Sequence, residues 1–138
     1  MRRVFSHTTA FRLASVVTAV NVLVATGFSI AGVVAPPSIL PARDAPTDAS
    51  FVFALYATAR ALPLAGFVFV AIYKRATSSL LVLGGLAGIA QLLDAGIGVK
   101  RHNPGKIGGP LVIAVLQMLA LWGLSRSMPK PPAPSLGA

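Results

Sequence analysis

The sequence predicts an all-α fold, a polytopic membrane four-helix bundle, and three observations predict it. Of 138 residues, 55% are hydrophobic and only 11% are charged, with a mean hydropathy of +0.78. Soluble globular chains carry about 25% charged residues, so this chain lacks the polar coat that a water-facing surface needs. Second, the twelve Lys and Arg that set a formal net charge of +9 fall in short clusters between long apolar runs. A basic face or stripe would point to nucleic acid; clusters at the ends of apolar runs point to a lipid bilayer and to no nucleic-acid partner. Third, four such runs reach the roughly 20 residues that a helix needs to cross about 30 Å of hydrocarbon.

The first run, Leu13 to Ala35, is uncharged and closed by Pro36-Pro37. Read with Met1-Arg2-Arg3, it competes with a secretory signal whose cleavage region would fall near Val33-Val34-Ala35. Its apolar stretch exceeds the 7–15 residues of a signal core, and proline directly after Ala35 is a poor cleavage context, so a retained helix is the favoured reading. The acid-free stretch Met1 to Ser15 also fits a mitochondrial presequence loosely. The second run, Phe51 to Tyr73, holds one charge, Arg60. Pro63 removes a backbone donor there and should loosen the helix near Ala59. The third run, Thr77 to Val99, holds Asp94, and the fourth, Ile107 to about Ser125, has Gln117 as its most polar member. Backbone groups in lipid must be satisfied within the segment, so all four runs are expected to be helices. The single domain then covers residues 1–127, with spans at about 13–35, 51–73, 77–99 and 107–125.

The connections differ in character. Residues 36–50 carry four prolines with Asp44 and Asp48, too little apolar material for a subdomain. The second connection is barely three residues and makes the second and third spans an antiparallel hairpin. Residues 128–138 hold four prolines and read as a disordered, polyproline-like tail. Four spans put both termini on one side, together with Arg2, Arg3, Arg12, Lys74, Arg75, Arg126 and Lys130, seven basic residues. Arg43, Lys100, Arg101 and Lys106 make four on the other side. The basic excess predicts cytoplasmic termini in a plasma (inner) membrane. Tyr73 and Trp122 then fall near the cytoplasmic ends of their spans, where aromatic rings anchor at the interface.

Several chemistries lack their residues. With no cysteine, there is no disulfide, thiol couple, iron–sulfur cluster or thiolate zinc site. His7 and His102 fall on opposite sides of the membrane, so no joint metal or haem ligation is expected. No phosphate loop, dinucleotide fingerprint or hydrolytic triad appears. No catalytic residue, cofactor or metal is therefore expected.

The candidate site lies inside the spans. A charge at mid-bilayer costs at least about 2.5–3.5 kcal/mol and normally faces the bundle or a wet cavity. Arg60 lies about 21 Å along the second helix from Lys74, while Asp94 lies about 27 Å and Gln91 about 22 Å beyond Ala76 on the third. An Arg60–Asp94 contact with Gln91 as a further partner is thus allowed, and Tyr56, one turn from Arg60, could join it. Phe53, Tyr56, Arg60, Leu64 and Phe67 share one stripe, whereas Gly84, Gly88, Gln91, Ala95 and Gly98 share another that Asp94 borders. Gly84-x-x-x-Gly88 is a small-xxx-small motif for close helix packing. The constellation reads chiefly as a structural pair that fixes register, and alternatively as a polar ligand or ion site. In a third reading, Asp94 snorkels toward the loop at Lys100 and makes no pair.

The segment Tyr56-Ala57-Thr58-Ala59-Arg60-Ala61-Leu62-Pro63-Leu64-Ala65-Gly66 and the segment Gln91-Leu92-Leu93-Asp94-Ala95-Gly96 resemble the DoxX-like group of small four-helix membrane proteins. The resemblance covers about Tyr56 to Leu124. In that group an arginine-bearing second helix and an aspartate-bearing third helix recur, followed by a short loop and a final helix. Relatives often place an acid directly after the arginine; here Ala61 stands there. The resemblance implies a four-helix bundle, some members being small subunits of oxidative membrane complexes, and it carries no catalytic activity. A small multidrug transporter would need a glutamate in its first helix, whereas all three acids here are aspartates. The expected function is an accessory or assembly subunit that works with partner membrane proteins or as a homo-oligomer. The rival is a minimal transporter or channel that uses Arg60 and Asp94.

Overall fold

The structure, a computed structural model, describes residues 6–40 and 44–128. Its helices are α1 (His7–Val34), α2 (Asp48–Tyr73), α3 (Thr77–Lys100) and α4 (Pro104–Ser127), with a short 3-10 turn at Pro36–Ser38. All four are long and apolar enough to cross a membrane, so the chain is an all-α membrane bundle. Arg2, Arg3, Arg43, Lys130 and the proline-rich tail beyond Met128 lie outside the described residues.

Local sequence explains where each helix begins. Ser6 caps α1 by accepting the Thr9 amide. Thr47 and Ser50 form a capping box at α2, and Asp48 in its first turn complements the helix dipole. Asn103 caps α4, with Pro104 at the first helical position, where its missing N–H costs nothing. These caps carry the helices beyond the apolar runs. Pro63 and Pro110 sit inside α2 and α4, which continue through them.

Both turns that flank α3 use a left-handed residue, Arg75 (φ 52°) and His102 (φ 50°). At the first, the Ala76 amide reaches back to the Ala71 carbonyl at 2.9 Å; at the second, the Asn103 amide reaches Gly98 at 3.1 Å. Each bond closes the end of a helix by satisfying a carbonyl that would otherwise be orphaned.

The core is made largely of small residues. One cluster joins Ala10 and Ala14 of α1 to Leu80 of α3 and to Ala120, Leu121 and Leu124 of α4. A second joins Val22, Ala65, Val68 and Ala87. Lipid supplies no hydrophobic drive between helices, so small side chains that permit close approach hold such bundles together. Although only a three-residue turn joins α2 to α3, α2 packs chiefly on α1 and α3 chiefly on α4. The only buried residues of α2 are Ala65, Val68 and Ala71, all in its second half. Its first half therefore lies outside the core.

Candidate functional site

Three helices place four polar side chains near their midpoints, two of them on α1, and these side chains meet. Gln91 Nε2 of α3 donates to Asn21 Oδ1 of α1 at 2.8 Å. Asn21 Nδ2 donates to Gln117 Oε1 of α4 at 3.3 Å. Gln117 Nε2 donates to Thr18 Oγ1, one turn before Asn21, at 2.8 Å. All four side chains are buried, Gln117 and Thr18 completely. An amide left without a partner in an apolar interior costs several kcal/mol, so each satisfies the next.

Glycine makes the room. A Cβ on Gly84 would lie 2.8 Å from Gln117 Nε2 and 3.1 Å from Thr18 Oγ1, and one on Gly88 would lie 2.6 Å from Met118 Cε and 3.1 Å from Gln117 Cγ. The Gly84 and Gly88 stripe thus faces α4, and it leaves the space that the Gln117 side chain fills. Gly98 is tighter still: its Cβ would stand 2.5 Å from the Lys106 carbonyl oxygen.

Above the network, toward the α3–α4 turn, lies a cavity of about 480 Å³. Val24, Phe28, Ile97 and Ile113 give it apolar walls, Gln91 and Asp94 line it, and Arg101 and Lys106 reach it from the loop end. Both cations already have partners. Arg101 Nη2 pairs with Asp44 Oδ2 at 3.0 Å, and Lys106 Nζ donates to the Ile39 carbonyl at 2.7 Å. These contacts tie the α1–α2 connection to the α3–α4 turn.

The sequence-predicted residues separate. Gln91 goes to Asn21 rather than to Arg60. Arg60 and Asp94 are both exposed, and they make no contact: among the described residues the only ion pair is Arg101–Asp44. The expected pair is absent because the first half of α2, which carries Arg60, packs on α1 and contributes nothing to the core beside α3. Tyr56 is 59% exposed, Phe53 72% and Phe67 65%, and Leu64 of the same stripe is half-buried, so the stripe that contains Arg60 lies at the outer rim of the bundle. Tyr73 and Trp122 are exposed as well, and the Arg126 guanidinium stacks 4.9 Å over the Trp122 ring.

Sequence reasoning from charge alone overlooks Asn21, Thr18 and Gln117 as a set. Their signal is position: Asn21 stands fourteen residues after His7, Gln91 fourteen after Thr77 and Gln117 thirteen after Pro104. A neutral amide at the middle of each of three spans is as costly to leave alone as it is useful to share.

Comparison with family models, curated proteins and solved structures finds no match to this chain.

Proposed function

We propose that the chain is an accessory or assembly subunit of a membrane complex, without catalysis of its own, and that it belongs with the DoxX-like group. One observation carries this reading: Arg60 stands at mid-span on an outward stripe, unpaired among the described residues. Such a charge facing lipid is costly, and a neighbouring chain that supplies a carboxylate removes the cost. The interior supports the same reading, since its mid-span amides and Thr18 are taken up by one another. The excess of basic residues on the side of the termini argues for cytoplasmic termini in a plasma (inner) membrane. Purification in mild detergent, with identification of co-purifying chains, tests the proposal. A stable assembly is expected, and a lone monomer that retains full thermal stability would overturn it.

The cavity favours a second reading, a minimal transporter with Asp94 in its path. If Asp94→Asn abolishes gradient-driven uptake in liposomes and leaves thermal stability intact, that reading displaces the first.

A further inference from the structure

We propose that the α2–α3 face docks on a second copy of this chain, so that Arg60 of each copy pairs with Asp94 of the other; this rests on the subunit reading above and names its partner. Arg60 and Asp94 are the two charges in the middle of the spans, they are opposite in sign, and neither is paired among the described residues.

Both border the same face. Asp94 follows Ala87 by two helical turns, a drift of only about 20°, and Ala87 packs in one cluster with Ala65 and Val68 of α2. Asp94 is therefore on the α2 side of α3, where it lines the cavity with Ala54 and Ala57 of α2 and remains exposed. Arg60 precedes Leu64 by one turn, and Leu64 packs against that cluster too. Phe67, two turns beyond Arg60, lines a shallow groove with Val82 and Leu83 of α3. Arg60 is therefore on the α3 side of α2.

Symmetry then makes the match. A twofold axis along the membrane normal sets α2 of one copy against α3 of the other and keeps every residue at its own depth. Arg60 is thirteen residues from the α2–α3 end of its helix and Asp94 seventeen from the same end of α3, about 20 and 26 Å at 1.5 Å per residue. The offset is one turn, which a long arginine side chain bridges. In a twofold contact each such pair occurs twice. Exposed Phe53 and Phe67 on α2 and Leu93 and Ile97 on α3 supply the apolar surround. A lipid phosphate is a poorer occupant for Arg60, which lies about 18 Å or more from either end of α2, whereas phosphates lie at the interface.

The chain has no cysteine, so a Tyr56→Cys/Ile97→Cys variant, one turn from each charge, reports the contact without removing it. Oxidation in native membranes, read on a non-reducing gel, is expected to give a disulfide dimer. The dimer band is expected to disappear when Arg60→Asp or Asp94→Arg is added and to return when both are added. A disulfide within one chain, or no disulfide, overturns the proposal. A band that joins this chain to a different protein overturns the second copy and leaves the subunit reading standing.

Discussion

Replacing Gly98 by alanine adds one methyl group where α3 comes closest to the first turn of α4 at a glycine. Its Cβ would meet the Lys106 carbonyl oxygen at 2.5 Å, the Lys106 carbonyl carbon at 2.7 Å and the Ile107 amide nitrogen at 3.0 Å. These atoms are backbone, so no side-chain rotation relieves the clash. Ordinary contact near 3.5 Å requires the first turn of α4 to retreat by about 1 Å. The retreat loosens the turn closed by the Asn103–Gly98 bond at 3.1 Å. Overpacking of this kind costs about 1–3 kcal/mol. Glycine to alanine within a helix returns up to about 1 kcal/mol through propensity, which obscures a single measurement. Gly96→Ala removes the ambiguity, because a Cβ there meets nothing within 4 Å on the same helix. Propensity cancels between the two variants, and Gly98→Ala is expected to be the less stable by about 1–3 kcal/mol. Unfolding in mixed detergent micelles with increasing dodecyl sulfate, followed by circular dichroism, measures the difference. Equal stability of the two variants would refute the close approach of α3 and α4.

Two further outcomes follow from the polar contacts. Gln117→Met keeps the length of the side chain but removes its bonds to Asn21 and Thr18, at a cost of about 1–3 kcal/mol given 0.6–1.7 per interhelical bond in membranes. Combined with Asn21→Val it should cost less than the sum of the two, and additivity would show that the network is not coupled. Asp44→Asn breaks an exposed pair with Arg101, so unfolding should change by less than about 1 kcal/mol. That difference should vanish at 1 M salt; a larger, salt-resistant loss would mean that the loop contact clamps the bundle.

Hydropathy makes the helices legible because crossing lipid demands length and apolarity, and both are written residue by residue. The helix ends are written in a different code. α1, α2 and α4 begin before their apolar runs because Ser6, Thr47 and Asn103 cap them. The glycine stripe at Gly84 and Gly88 is readable as a close-packing face, but the sequence does not say that Gln117 occupies the space it leaves. Arg60 and Asp94 attract attention because charge in a span is expensive. Yet expense alone does not choose between a partner inside the chain and one outside it. That choice depends on which neighbour α2 packs against, a tertiary fact that a short turn to α3 does not determine. Asn21 and Gln117 carry no charge, so only their equal depth in separate spans hints that they meet.

The polar network also constrains the order in which the chain can be assembled. Asn21 belongs to α1, which emerges before the other three helices during synthesis, yet its partners stand 70 and 96 positions later. Until α3 has entered the bilayer, the amide of α1 has only temporary partners (water, lipid headgroups or the insertion machinery), and its Nδ2 waits longer, for α4. The network therefore closes in two steps, first when Gln91 meets Asn21 and then when Gln117 arrives and links α4 to α1. α2 contributes no residue to that lock, so its outer stripe is available to a neighbour whether or not the lock has closed.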